Sequence, residues 1–256
     1  MNNEIKNPQP LTAGALSQGL SKLKLPRMAA IYGIEAETAR EKNGTFEDYL
    51  ETLVQAEILS KQERALRQRL GQARFPLIKT LDAFDFTFNT SAPKQKILKL
   101  SDASFVEEKE NIILLGPPGV GKTHLALSIA YAACQKGTKT LFVTAADLIN
   151  SLYASLADHS LEKQLKTFIT PKLLVIDEVG FLPFDQQGAD LFFQVISKRY
   201  EKGSIILTTN RPFKDWGEIF HNNTLAGALI DRLAHHAEII NIKGDSYRVR
   251  EKKKSV

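Results

Sequence analysis

The sequence predicts an α/β domain built on a five-stranded parallel sheet, preceded along the chain by a small all-helical domain. Two observations predict the sheet: short apolar runs recur along the chain, and stretches of helical character separate them. Strands that alternate with helices form parallel sheets that helices cover on both faces. The predicted strands are 111–115, 140–144, 173–176, 204–208 and 238–242.

Helical patterning dominates the N-terminal part of the chain. Thr45, with Asp48 three residues later, resembles a capping box at a helix start. Apolar residues then repeat at the spacing of one helix face, namely Phe46, Tyr49, Leu50, Leu53 and Val54. We expect this helix to stop near 71–76. The predicted organisation is a helical domain at 1–75, an α/β domain at 76–248 and a basic tail at 249–256.

Composition excludes several classes of protein. Of the 256 residues 43% are hydrophobic and 25% are charged, which is typical of a globular chain. No apolar run approaches the roughly 18 residues that a membrane span needs, and no signal peptide is visible. Neither the single cysteine, Cys134, nor the five histidines have metal-ligand spacing. We therefore expect a soluble cytoplasmic protein with no membrane partner and no structural metal.

The net charge of +5 is concentrated in two segments. Residues 61–79 carry six basic side chains against one acidic, and residues 243–254 carry six against two. Basic flanks on either side of a mildly acidic middle favour binding to a polyanion. The alternative is that both segments are only solvated surface, and charge alone leaves the two interpretations open.

One motif predicts nucleotide binding. A run matching G-x-x-x-x-G-K-T directly follows the first predicted strand and precedes a helix, so backbone N–H groups and the helix start can face phosphate oxygens. Lys122 is expected to reach the β- and γ-phosphates of ATP, and the Thr123 hydroxyl to ligate Mg²⁺. For the next residue, His124, packing is favoured over catalysis. The predicted nucleotide contacts are Gly116, Pro117, Pro118, Gly119, Val120, Gly121, Lys122, Thr123 and His124.

Two later strand ends supply polar groups for hydrolysis. One apolar strand ends in Asp177 and Glu178, and the next ends in Asn210. Open α/β sheets place ligands at the carboxyl ends of their strands, so these side chains are expected beside the phosphates. Asp177 would hold Mg²⁺, Glu178 would orient the attacking water, and Asn210 would hydrogen-bond that water or the γ-phosphate. Acids often end strands and asparagine often forms turns, so these assignments depend on the phosphate loop.

This order of motifs is that of the AAA+ ATPases. From about residue 11 to about residue 250 the chain resembles the IstB family, the helper ATPases of insertion-sequence transposons, which are relatives of the DnaC helicase loaders and DnaA initiators. The matching segments are LKLPRMAAIYG at 23–33, ARFPLIKTLDAFDF at 73–86, GPPGVGKTHLALSIA at 116–130, LLVIDEVGFLPFD at 173–185, TTNRPFKDW at 208–216 and DRL…SYR at 231–248.

The resemblance implies an ATPase that assembles with copies of itself on double-stranded DNA without sequence preference, bends it and presents it to a transposase. It also implies an inserted helix before the Asp-Glu strand, and residues 145–172 allow two helices with a break at 158–160. Candidate DNA contacts, with solvated surface as the alternative, are Lys61, Arg64, Arg67, Arg69, Lys163 and Lys166. A DnaC-type helicase loader and a nucleotide-dependent scaffold with negligible hydrolysis remain rival functions.

AAA+ ATPases complete the active site with an arginine from the neighbouring subunit. The resemblance points to Arg232, with Arg211 as the second candidate and a surface salt bridge as the alternative role of Arg232. Only 24 residues follow Arg232, too few for the multi-helix lid usual in AAA+ proteins. Without a lid, Arg248 would replace its sensor arginine. Adenine would then be held by the sheet edge, the segment 81–88 and a neighbouring subunit.

Overall fold

A computed structural model describes residues 13–247 and residue 250 of the chain. The first twelve residues, Arg248 and most of the predicted basic tail at 249–256 lie outside the described residues. The chain forms two compact units, of which the first ends at Arg67 and the second begins at Gln68. This boundary falls inside a helix, eight residues before the predicted boundary at 75. No helix in the described part is long and apolar enough to span a membrane.

The first unit is helical. It contains α1 (Ala13–Lys22), α2 (Pro26–Glu41) and most of α3 (Phe46–Ala73). The predicted capping box at the start of α3 is confirmed, because the Asp48 N–H donates to Thr45 Oγ1 at 3.1 Å and the Thr45 N–H donates to Asp48 Oδ2 at 3.1 Å. Within this unit the Glu57 carboxylate accepts both the Arg27 and Met28 N–H groups at the start of α2, where a negative charge is favourable.

The second unit contains a five-stranded sheet in the order β2-β3-β4-β1-β5, with every pair of neighbours parallel. The predicted sheet is therefore confirmed. The strands are β1 (Asn111–Leu115), β2 (Thr140–Thr144), β3 (Leu173–Val179), β4 (Ser204–Thr209) and β5 (Ala237–Asn241). The helices are α4 (Lys94–Leu100), α5 (Ser104–Glu107), α6 (Lys122–Gln135), α7 (Ala145–Ala157), α8 (Leu161–Ile169), α9 (Gln186–Arg199), α10 (Trp216–Ile219) and α11 (Asn223–Ala234).

Helices cover both faces of the sheet because its strands are apolar on both sides. Successive residues of β3 alternate between two buried clusters, with Leu174 and Ile176 in one and Leu173 and Val175 in the other. Helices α7, α8, α9, α10 and α11 pack in the first cluster, and α4, α5 and α6 pack in the second. The two helices predicted between β2 and β3 are α7 and α8, and the break between them lies at 158–160, as expected.

The segment between α3 and α4 contains neither helix nor strand. The alternation of Phe84, Phe86 and Phe88 therefore does not mark a strand. Phe84 and Phe86 instead contact each other edge to face, with ring centroids 4.7 Å apart, and pack against the second buried cluster. Turns rather than a strand therefore bring these two half-buried rings to the core.

Candidate functional site

The G-x-x-x-x-G-K-T loop curls between the end of β1 and the start of α6, and two of its glycines are required by the backbone. Gly119 and Gly121 have φ values of +85° and +97°, in the left-handed region that side chains with a Cβ disfavour. A Cβ on Gly119 would lie 2.1 Å from Ser246 Oγ, and a Cβ on Gly121 would lie 2.6 Å from the Phe84 ring. Both conformation and space therefore demand glycine here.

Side chains and backbone from distant parts of the second unit brace this loop. The buried Asn89 side chain donates from Nδ2 to the Val120 carbonyl at 2.8 Å. From the other end of the chain, the Tyr247 N–H donates to the Gly119 carbonyl at 3.0 Å. Lys122 opens α6, and its Nζ donates to the carbonyls of Gly116 and Pro117, each at 2.8 Å. The loop is thus fixed in shape with the Lys122 ammonium group across it.

The two predicted carboxylates lie near the end of β3 and differ in exposure. Asp177 is only 4% exposed, and both of its oxygens lie 3.0 Å from the Thr123 hydroxyl. Glu178 is exposed and lines the cavity beside the loop. The predicted convergence of Thr123, Asp177 and Glu178 on the phosphate loop is thus present. A hydroxyl and a carboxylate that share one position form an oxygen donor set of the kind that Mg²⁺ takes.

Sequence reasoning missed Thr208, which lies on β4 beside these carboxylates. Its hydroxyl donates to Asp177 Oδ1 at 2.5 Å and accepts the Glu178 N–H at 2.9 Å. A polar side chain that is 1% exposed in a central strand needs hydrogen-bond partners, and Thr208 finds both on the neighbouring strand. The available signal was the pair of threonines that ends the apolar run of β4, directly before Asn210.

The loop, the Glu178 carboxylate and the segment before α4 enclose a cavity of about 630 Å³. Asn210 lines it at the end of β4, as predicted. Phe84, Phe88 and Tyr247 supply aromatic walls, with the rings of Phe88 and Tyr247 edge to face at 5.3 Å. The expectation that the segment 81–88 contacts adenine stays a prediction, and these rings are the side chains that would make the contact.

His124 lines the same cavity but is held by packing. Its Nε2 lies 3.0 Å from the Thr80 carbonyl, and its ring contacts Phe84 edge to face at 5.3 Å. Burial lowers the pKa of His124 below the ordinary histidine value, the hydrogen bond to the Thr80 carbonyl opposes this, and the nearby Lys79 ammonium group lowers it further. Because a carbonyl oxygen can only accept, Nε2–H is the donor in the hydrogen bond to Thr80.

The two candidate arginines occupy different positions. Arg232 lies on α11 and is not among the cavity-lining residues; its Nη1 donates to the Ala228 carbonyl at 2.9 Å, and its guanidinium lies 4.8 Å from the centre of the Phe193 ring. Arg211 is exposed next to Asn210, and its Cγ lies 3.3 Å from where a Cβ on Gly180 would be. A catalytic role for Arg232 would therefore need the cavity of another subunit.

The basic residues proposed for DNA contact divide into two kinds. Most are exposed: Lys61, Arg64 and Arg67 on α3, and Lys163 and Lys166 on α8. Arg69 is half-buried, and its Nε donates to the Cys134 carbonyl at 2.8 Å, in the last turn of α6. A cation near a helix C-terminus is favourable, so Arg69 has a structural role in the second unit.

A group of possible metal ligands lies away from the cavity, although the histidines have no ligand spacing in the sequence. Tertiary contacts bring ligand atoms of Glu201, His235 and His236 within 4.8 Å of one another. The Tyr200 hydroxyl lies 2.9 Å from His235 Nδ1. All three candidate ligands are exposed, and they precede β4 and β5, so they lie at the sheet edge opposite the phosphate loop.

Known proteins resemble the chain over nearly all its length. The family model described as IstB-like ATP binding protein matches residues 18–255. An ATP-binding protein of insertion sequence IS5376 from Geobacillus stearothermophilus is 46% identical over 91% of this chain and 92% of its own length. The ATP-binding protein of insertion sequence IS21 from Pseudomonas aeruginosa is 43% identical over 92% of this chain and 89% of its own length.

Solved structures share the fold of the second unit. The DnaC helicase loader matches with a TM-score of 0.51 and 26% identity, over 58% of this chain and 87% of that chain. AMPPCP-bound DnaA from Aquifex aeolicus matches with a TM-score of 0.56 and 21% identity, over 71% of this chain but only 56% of that chain, which shows a shared AAA+ fold. With a family model that covers 18–255 and relatives at 43% and 46% identity, the chain belongs to the family of IstB-like ATP-binding proteins.

Proposed function

We propose that this protein hydrolyses ATP with Mg²⁺ and acts as the helper ATPase of a transposon, assembling on duplex DNA, bending it and recruiting a transposase. The observation that carries the proposal is the convergence of Lys122, Thr123 and Glu178 on one cavity, with the Asp177 carboxylate behind the Thr123 hydroxyl, in a chain of an ATP-binding family. The first test is ATP turnover with and without duplex DNA. A wild-type protein that binds ATP but never turns it over would instead be a nucleotide-dependent scaffold.

The predicted site residues have separate roles in this proposal. Lys122 and the loop N–H groups bind the phosphates, and Glu178 is exposed toward the cavity, where its carboxylate can orient the attacking water. Asn210 hydrogen-bonds that water or the γ-phosphate. Thr123 and Asp177 would hold Mg²⁺, which when bound neutralises charge on the phosphate oxygens.

The position of Arg232, which does not line the cavity of its own subunit, supports the proposed assembly. The proposal is that Arg232 enters the cavity of a neighbour and stabilises charge there. Arg232→Ala protein should then regain activity when mixed with Glu178→Gln protein, because one type of mixed interface pairs an intact Glu178 with an intact Arg232. No recovery at any mixing ratio, with both variants still assembling, would contradict a contribution in trans.

Duplex DNA is the proposed partner of the exposed basic residues on α3. Neutralising Lys61, Arg64 and Arg67 should weaken binding to two unrelated duplexes equally, because phosphate contacts carry no base information. The slope of log affinity against log salt should flatten by roughly 0.9 for each lost phosphate contact. Arg69→Gln is the matched control, since its Nε already binds the Cys134 carbonyl. An unchanged slope would move the contact to Lys163 and Lys166, and a loss on one duplex only would contradict sequence-independent binding.

A helicase loader is the second candidate function, favoured by the 26% identity to the DnaC helicase loader over 87% of that chain. A loader would use its helical domain to bind a replicative helicase, whereas a transposition helper would bind a transposase. Affinity capture with purified candidates of both kinds separates the two functions. Capture of the helicase alone would reject the transposition proposal.

A further inference from the structure

Glu178 occupies an unusual backbone conformation at the point where β3 meets the cavity. Its φ is +64°, in the left-handed region that residues with a Cβ disfavour, although it lies inside a strand. The ladder between β3 and β4 shifts register there: Ile176 pairs with Leu207, and Val179 pairs with Thr209. Two residues of β3 therefore oppose one residue of β4, which is a β-bulge.

The single residue opposite the bulge is Thr208. A bulge leaves a backbone group without its ladder partner, and here the Glu178 N–H donates to the Thr208 hydroxyl at 2.9 Å. The same hydroxyl donates its own proton to Asp177 Oδ1 at 2.5 Å. A hydroxyl has one proton to give and lone pairs to accept, so both bonds form at once. Thr208 thus holds the side chain of Asp177 and the backbone of Glu178.

The bulge determines where the two acids point. In a regular strand, adjacent side chains face opposite sides of the sheet. Here Asp177 is buried against the Thr123 hydroxyl while Glu178 lines the cavity that Thr123 also lines. A bulge beside an active site re-aims a side chain in this way. The hydrogen bond from the Glu178 N–H to the Thr208 hydroxyl therefore links β4 to the left-handed backbone of Glu178.

We propose that Thr208 is a positioning residue for ATP hydrolysis: its hydroxyl orients the Asp177 carboxylate toward Thr123 and maintains the bulge that aims Glu178 into the cavity. The proposal rests on the proposed ATPase function. It assigns Thr208 to the turnover step and to the use of Mg²⁺ rather than to nucleotide affinity, because both hydrogen bonds of the Thr208 hydroxyl go to the residues assigned to Mg²⁺ and to the attacking water.

The test uses two matched pairs that differ in one hydroxyl. Wild type against Thr208→Val removes the hydroxyl at constant shape, and Thr208→Ser against Thr208→Ala repeats the comparison at smaller volume. We expect kcat to be about 10- to 100-fold lower in the two variants without a hydroxyl, which is the usual cost of removing a hydrogen-bond partner of a metal ligand. These variants should also need a higher Mg²⁺ concentration for half-maximal rate. The dissociation constant for ATP should change less than about threefold, and Thr208→Ser should retain most activity.

Ser204→Ala is the control for general damage to β4. Ser204 is equally buried, but it lies at the other end of the strand, where its hydroxyl donates to the Phe105 carbonyl at 3.1 Å. If Thr208→Val keeps the wild-type kcat and Mg²⁺ dependence, or if Ser204→Ala and Thr208→Ser lose as much, the proposal is overturned. If Thr208→Val does not fold, the Ser and Ala pair decides. Wild-type protein without ATP turnover would overturn the proposed function itself, a result distinct from equal turnover in wild type and Thr208→Val.

Discussion

Backbone polar groups converge at both ends of the parallel sheet, but a side chain of the protein binds them at one end and a cavity lies beside them at the other. At the carboxyl end, where the strands finish, the loop before α6 surrounds a cavity of about 630 Å³. At the amino end, where β3 and β4 begin, Arg199 is only 1% exposed, and its guanidinium lies among the converging carbonyl groups. Its two terminal nitrogens donate to the carbonyls of Phe168, Ile169, Pro171, Lys172 and Ser204.

Helix ends explain the difference between the two sites. The last carbonyls of α8 have no partner within the helix, and a helix C-terminus favours a cation, which Arg199 provides from α9. Burial lowers the pKa of Arg199 to about 10, so it remains charged at neutral pH. The first N–H groups of α6 instead favour an anion, and the cavity beside them has room for a phosphate group. One site is completed by the protein, and the other is built for a ligand.

The largest expected effect comes from removing the Arg199 guanidinium from the amino end of the sheet. Arg199→Leu should lower the free energy of unfolding of the second unit by about 3 kcal/mol, because buried carbonyls would lose their donor. The thermal midpoint should fall by roughly 10 °C, measured by circular dichroism. The control Lys198→Leu alters an exposed neighbour on the same helix and should stay within about 0.5 kcal/mol of wild type. Equal stability of the two variants would mean that water replaces Arg199 at little cost.

At the carboxyl end the same kind of deletion should affect ligand binding. Lys122→Ala should lower ATP affinity roughly 100-fold, because the phosphates lose a preorganised cation. Glu178→Gln should keep wild-type affinity, since Glu178 is assigned to water rather than to phosphate. Isothermal titration calorimetry with ATP measures both. If both variants lose the same affinity, the division of roles between Lys122 and Glu178 is wrong.

A smaller effect separates backbone strain from the shape of the loop. Gly119 and Gly137 have similar positive φ values, +85° and +95°, but of the two only Gly119 has other atoms within 4 Å of the position that a Cβ would take. Alanine at either position should cost about 1 kcal/mol of stability, because the left-handed conformation is strained. Only Gly119→Ala should also weaken ATP binding, by about tenfold, since Ser246 would force the loop to move. Similar ATP affinities in the two variants would show that the loop tolerates the displacement.

The smallest expected effect is a pH dependence at the start of α6. Burial holds the folded-state pKa of His124 below its unfolded value, so the unfolded chain binds the proton more readily. The contribution of His124 to stability is therefore present above the unfolded value, near pH 6.5, and is lost as the pH falls below it. His124→Gln should show a smaller drop in thermal midpoint between pH 7.5 and pH 5.5 than wild type. An identical drop in both proteins would assign the pH dependence to other groups.

The sequence by itself determined the features that depend on neighbours along the chain. The capping box at Thr45, the strands, the loop from Gly116 to Thr123, and the placement of Asp177 and Glu178 at a strand end all follow from local spacing. Chain order also predicts that parallel strands end at one edge, and this places Asn210 near the loop. These patterns are readable because each depends on backbone geometry that repeats over a few residues.

Only the tertiary structure decided which distant side chains complete the sites. Thr208 opposes a bulge on another strand, and Asn89 donates to a loop carbonyl 31 residues away. Arg199 donates to carbonyl groups at the end of α8 and at the starts of two strands. Arg69 has the same charge as its exposed neighbours, and only the approach of α6 gives it a structural partner. Burial and hydrogen-bond partners are properties of the packed chain. Residue type constrains them weakly, because a hydroxyl, amide or guanidinium group forms hydrogen bonds of similar free energy with water and with protein partners.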